Sequence, residues 1–183
     1  MTQTALVPIA DGSEEIEAVC IIDLLRRAGV EVTVASIHDY STITASRQTR
    51  VTADALLKDC AHQPWDLIAV PGGMPGARNL SECGLLIERL KQQRDDGRLY
   101  AAICAAPELV LATHGLLEDR AATGHSEFRD GLPDQSRVGE RVVVDQNCIT
   151  SQGPGTALEF GLALIEQLCG RETRDTVASR MML

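Results

Sequence analysis

Two spacings of apolar and polar positions alternate along the chain. Residues 4–10 (TALVPIA) are a short apolar run of strand length. Residues 13–30 (SEEIEAVCIIDLLRRAGV) switch to a helical spacing, with Ser13 as the expected cap, Glu14 and Glu15 near the positive end and Gly29 as the stop. Residues 30–36 (VEVTVAS) return to a β-branched strand. Strand, helix and strand joined so tightly make a right-handed crossover unit, the building block of a parallel sheet. Residues 38–54 alternate polar and β-branched positions and predict short strands or a hairpin. Further strands are expected at 66–73, ended by Pro71 and two glycines, and at 98–104. Helices are expected at 81–95, closed by Gly97, and at 106–115, with Pro107 in the first turn. Residues 141–151 read as strand, turn and strand, 155–170 as a helix closed by Gly170, and the remaining tail as helical. The sum is a flavodoxin-like α/β sandwich, a mostly parallel sheet with helices on both faces.

Composition narrows this picture. The 183 residues suffice for one domain, 1–183, and 44% apolar content supports a packed core. A net charge of −9 repels nucleic acid and anionic membranes, so no specific nucleic-acid binding is expected. No apolar run is long enough to span a bilayer. The opening MTQTALVPIADGSEE lacks a basic leader, and the expected compartment is the cytoplasm. The six cysteines form no CxxC pair and the four histidines are scattered, so neither a metal site nor a cofactor is expected.

In open α/β sheets ligands bind beyond the carboxyl ends of the strands. Three elements fall there: DGSEE after the first strand, PGG after residue 70, and Cys104 after AAI. A strand followed at once by a helix forces a sharp turn, which projects its side chain above the sheet as in a nucleophile elbow. A helix N-terminus there would favour the thiolate. Cys104 therefore has two readings, an active thiol or a small buried hydrophobe. Gly72 and Gly73, with Ala105, can turn their backbone N–H groups toward a developing oxyanion; the alternative is a plain strand-to-helix turn. Glu17 borders the apolar face of the first helix, where partial desolvation raises a carboxyl pKa. Protonated and within reach of Cys104, it would donate to the thiolate and shuttle a proton; otherwise it is a solvated face residue. His125 stands after a strand-like stretch and a glycine, either as a base beside the thiol or as a loop residue without a role. His38, His62 and His114 read as surface or supporting residues.

Taken together, DGSEEIEAV (11–19), DLLRRAGVEVTVAS (23–36), VPGGMPGARNL (70–80), AAICAAPELVLA (101–112) and TSQGPGTALEFGLALIE (150–166) resemble the ThiJ/PfpI superfamily, in the branch of the Parkinson-disease-associated protein deglycase and its bacterial homologues. The resemblance implies that Cys104 is an oxidisable nucleophile, Glu17 its acidic partner and His125 the nearby histidine. It implies that Gly73 and Ala105 form the oxyanion-binding backbone pair. Arg47, with Glu14 and Pro154, is expected to line the substrate pocket. It further implies a homodimer with helix 13–28 at the interface. The implied reaction is a cysteine-dependent glyoxalase or deglycase activity, without metal or glutathione, on small α-oxoaldehydes or on glycated protein or nucleotide adducts. The alternative is an oxidative-stress sensor and redox-regulated chaperone using the same cysteine. Three departures stand out: Ala105 replaces the histidine that follows the cysteine in peptidase-like members, Gln152 replaces a frequent arginine, and Ser126 a frequent proline. The first weakens a peptidase reading, and the different acidic motif of isocyanide hydratases ranks that activity low.

Overall fold

The computed structural model describes residues 2–183. Nine strands and six α-helices follow one another as β1 (Thr4–Ile9), α1 (Glu15–Arg27), β2 (Glu31–Ser36), β3 (Thr42–Thr44), β4 (Arg50–Thr52), β5 (Ala55–Leu56), α2 (Leu57–Cys60), β6 (Leu67–Val70), α3 (Gly76–Ser81), α4 (Gly84–Asp95), β7 (Leu99–Ile103), β8 (Val142–Asp145), β9 (Cys148–Ser151), α5 (Ala157–Cys169) and α6 (Arg171–Arg180). Seven strands form one sheet in the order β5-β2-β1-β6-β7-β9-β8, and β3 and β4 form a separate antiparallel pair. The main sheet is parallel except where β8 runs against β9.

The apolar runs of the sequence become strands because both faces of this sheet are covered. Residues of β1 alternate between two cores, as the two-residue strand period requires. Leu6 joins Ile68, Tyr100, Leu86 and Leu90 on one face, while Ala5, Val7 and Ile9 join Ile21, Leu24, Phe160 and Leu164 on the other. Helices α1, α5 and α6 therefore cover one side, and α2, α3 and α4 the other. Among the described residues no helix is long and apolar enough to cross a membrane.

Several local expectations change. Ser13 does not cap α1: its Oγ accepts from Ala10 N–H at 3.0 Å, and Glu14 takes the cap, its Oε1 accepting from Ile16 N–H at 3.0 Å. The helix expected at 81–95 forms as α4, starting three residues later at Gly84, and a short helix that was not expected, α3, precedes it over Gly76–Ser81. The helix expected at 106–115 is irregular, a π-turn over Pro107–Leu111 followed by a 3₁₀ turn over Ala112–His114. The 38–54 segment does form a hairpin, yet it stands apart from the main sheet. Gly12 N–H donates to Thr44 O at 2.8 Å and Thr44 N–H to Asp11 Oδ1 at 2.8 Å, which fastens the hairpin over the carboxyl end of β1.

Candidate active site

The turns after β1, β6 and β7 converge because these strands are neighbours and run the same way. The chain order reverses between β1 and β6, which places the convergence at a topological switch point. Cys104 follows β7 directly and holds φ at +68°. For a residue with a Cβ this left-handed conformation costs about 1–2 kcal/mol. Two backbone bonds fix it: Cys104 N–H donates to Ser151 O at 3.0 Å, and His125 N–H donates to Cys104 O at 2.8 Å.

Glu17 lies on α1 among Ala18, Ile21, Leu24 and Leu25, so its helical position faces the core, and it is 0% exposed. Its Oε2 accepts from Gly72 N–H at 2.8 Å. Its Oε1 is buried without a satisfied hydrogen bond, although the carboxyl reaches Cys104. Oε1 and the Cys104 sulfur both border Gly153, 3.9 and 4.0 Å from where a side chain on that glycine would begin.

Burial pushes the Glu17 carboxyl up to about 7, against the pull of the Gly72 N–H and Cys104 and with a small push from Glu14. Burial, and then the neighbouring Glu17 charge, push the Cys104 thiol up to about 12, against the Gly73 and Ala105 N–H groups that face it. The sequence led us to expect a lowered thiol pKa from a following helix. That helix starts as an irregular turn at Pro107, and the sulfur is buried beside a carboxyl group. The two acids share one site, so their ionisations are coupled. A proton on Oε1 would turn that unpartnered acceptor into a donor toward sulfur and remove the like charge that opposes the thiolate.

Gly72 admits no side chain, since a Cβ there would stand 2.6 Å from Cys104 Cβ and 2.9 Å from Glu17 Oε2. Its N–H is committed to Glu17, which leaves Gly73, at φ +90°, and Ala105 as the donors facing the cleft. Gly72→Ala is expected to cost about 1–3 kcal/mol of stability in urea unfolding and to slow alkylation of Cys104 about tenfold or more.

A cleft of about 250 Å³ opens over the sulfur. The structure brings together Glu14, Arg47, Gly73, Cys104, Ala105, His125 and Pro154 around it, with Glu17 behind the sulfur. His125 Nδ1 accepts from Glu127 N–H at 3.3 Å, a partnership that assigns the proton of the neutral ring to Nε2. Ser46, Met74, Glu127 and Phe128 also line the cleft, and nothing in the sequence pattern singles them out. Ser46 ties the hairpin to α1, because its Oγ lies within donating distance of two carboxylates, Glu14 at 3.0 Å and Glu15 at 2.9 Å. Glu15 also accepts from Arg47 N–H at 3.0 Å, which seats the hairpin loop over the cleft. Burial alone would raise the Glu15 carboxyl, but these hydrogen bonds hold it down at about 2. His38 supports the same region, its Nε2 accepting from Asp11 N–H at 3.0 Å, whereas His62 is exposed and His114 packs on Ser81.

An elbow cysteine, a buried acid against it and paired backbone donors at the carboxyl edge of a doubly wound sheet define a cysteine-centred α/β protein. The chain belongs to the DJ-1/PfpI family, whose model matches residues 3–167. It is 46% identical over 184 residues to Protein DJ-1 homolog A of Arabidopsis thaliana, covering 100% of this chain and 47% of that protein. The chain thus spans about half the length of that plant relative. It is 36% identical to the Glutathione-independent glyoxalase DJR-1.2 of Caenorhabditis elegans, covering 97% of this chain and 94% of that one. The solved structure of oxidized Toxoplasma gondii DJ-1 superposes with a TM-score of 0.96 at 45% identity, covering 99% of this chain and 98% of the other. Membership supports cysteine-based chemistry of the family's kind.

Proposed function

We propose that the chain is a glutathione-independent glyoxalase or deglycase acting through Cys104 on methylglyoxal, glyoxal or early glycation adducts. The observation that carries this reading is the buried, half-satisfied Glu17 against the Cys104 sulfur. A cleft of about 250 Å³ is of a size for a three-carbon dicarbonyl. The name of the nematode relative supports the same activity.

In the proposed reaction the Cys104 thiolate adds to the aldehyde carbon and the Glu17 proton passes to the new oxygen, giving a hemithioacetal. Glu17, now a carboxylate, takes the hydrogen from that carbon as a proton and returns it to the former ketone carbon, while the hemithioacetal hydroxyl proton passes to the former ketone oxygen. The aldehyde carbon is oxidised to a thioester and the ketone carbon reduced to an alcohol, with no external oxidant. Water then attacks the thioester, releases lactate and returns the proton to sulfur. The Gly73 and Ala105 N–H groups stabilise the oxyanions as they form. Ala105, standing where a peptidase-like member has histidine, disfavours proteolysis.

Cys104 oxidation is a second reading. The Toxoplasma relative is described as oxidized, and Glu17, Gly73 and Ala105 would equally hold the oxygens of a sulfinate on Cys104. Quantified lactate release from methylglyoxal separates the two. An enzyme yields many equivalents of lactate per chain, while a sensor consumes two equivalents of peroxide per chain on the way to the sulfinate and stops.

For partners we propose a homodimer through α1. Ile16 and Val19 are 54% and 50% exposed on the face of α1 turned away from Glu17's core contacts. Val19→Glu is expected to shift the chain from dimer to monomer in light scattering; an unchanged dimer would move the interface elsewhere.

A further inference from the structure

A second hollow, about 320 Å³, opens on the other side of His125 and Pro154, which line both it and the Cys104 cleft. Its walls carry Ser126, Arg129, Arg141 and Gln152. Two guanidinium groups in one concavity stand out in a chain of net charge −9. They differ in state. Arg141 is clasped by Glu159, with Nε and Nη2 each 2.8 Å from a carboxylate oxygen, and Nη2 also donates to Gly155 O at 2.9 Å. Its charge is compensated, and Nη1 stays free to donate. Arg129 is half-buried and sits one turn beyond His125, its N–H donating to His125 O at 2.9 Å. Its guanidinium has no hydrogen-bond or ion-pair partner among the described residues; its only bonds are through the backbone, the N–H to His125 and the carbonyl accepting from Gln135 Nε2 at 3.0 Å and from Leu132 N–H at 3.1 Å. Among the described residues no carboxylate lines the hollow: Glu159 pairs with Arg141 from outside it, and Glu127 lines the Cys104 side instead. A guanidinium held in a concave wall without a partner is suited to a bidentate oxyanion.

The geometry points to an oxyanion subsite in which Arg129, aided by Arg141 Nη1 and the Ser126 hydroxyl, takes the phosphate or carboxylate tail of a substrate whose aldehyde lies at Cys104. The inference rests on the reaction proposed above and refines its substrate class: the preferred substrate is an α-oxoaldehyde bearing an anionic group, not neutral methylglyoxal.

The test uses the full chain at constant ionic strength set with chloride. Inorganic phosphate binding is followed by phosphorus NMR, and acetate is titrated separately by chemical-shift perturbation. Saturable binding of at least one anion is expected, weakened about tenfold by Arg129→Gln and unchanged by Arg171→Gln on α6. Phosphate alone or acetate alone identifies the tail. The kcat/KM ratio of 3-phosphooxy-2-oxopropanal, or of a carboxylate-tailed analogue, over methylglyoxal is expected to exceed about ten and to collapse toward one in Arg129→Gln. Cys104→Ala is expected to keep anion binding. A protein that binds the anion through Arg129 but turns over neither aldehyde keeps the subsite and refutes the reaction. One that turns over methylglyoxal but binds neither anion, or binds it equally well in Arg129→Gln, refutes the subsite. A wild-type ratio near one overturns the assignment of the anion to the substrate's tail.

Discussion

Replacing Cys104 with alanine is expected to reduce lactate release from methylglyoxal by at least about 10³-fold, a loss of roughly 4 kcal/mol of transition-state stabilisation. The other five cysteines cannot take over. Cys60 and Cys148 are buried, and Cys20, Cys83 and Cys169 lie outside the cleft. Burial holds the Cys148 thiol up at about 12. The replacement leaves the left-handed strain unchanged, because alanine also carries a Cβ, and removes only the sulfur, so the fold is expected to persist. Near-wild-type lactate output from a folded Cys104→Ala protein would end the nucleophile assignment.

Glu17→Gln is expected to separate activity from stability. Glutamine keeps an acceptor for the Gly72 N–H and a donor for the sulfur, but it cannot carry the proton from carbon to carbon. Turnover is therefore expected to fall by about 10²–10⁴-fold, with Cys104 still open to alkylation. Stability is expected to move the other way. The carboxyl pKa rises from 4.5 to about 7 in the folded chain, so between these values the folded state binds more protons than the unfolded one. Its contribution is fully present below 4.5 and is lost as pH rises through about 7. The loss amounts to up to about 3 kcal/mol. Urea unfolding should show Glu17→Gln gaining on the wild type between pH 4 and pH 8. A constant stability difference across that range would mean that folding leaves the Glu17 carboxyl at its ordinary pKa.

The strands were legible because a doubly covered parallel sheet writes itself as unbroken apolar runs, as at TALVPI and LIAV. The long helices α1 and α5 were legible from their apolar stripe and their glycine stops at Gly29 and Gly170. The short helix α3 was not, since its start at Pro75 and Gly76 belongs to the PGGMPG stretch, which reads as a turn. The choice between Ser13 and Glu14 as cap was made by tertiary structure, which claimed the serine hydroxyl for Ala10. At the candidate site, the placement of Cys104 at a strand end and of Glu17 on the buried face of α1 could be read, since Glu17 shares its register with Ile21 and Leu24. The ionisation of the thiol could not be read, because it depends on depth of burial and on a carboxyl 87 positions away in sequence, the interval between Glu17 and Cys104. Ser46 was invisible for a similar reason: alternation announces a hairpin but not which loops it will clasp.

That hairpin forms a wall of the Cys104 cleft, yet β3 and β4 pair only with each other; hydrogen bonds tie it to Asp11, Gly12 and the start of α1 at Glu15, and Ile43 and Ala45 seat it in the core. Its connecting turn, which brings Ser46 and Arg47 to the cleft, is thus the exchangeable part. Changes there can retune which molecules enter while Ile43 and Ala45 hold the hairpin in place and the sheet, with the chemistry seated on it, stays constant.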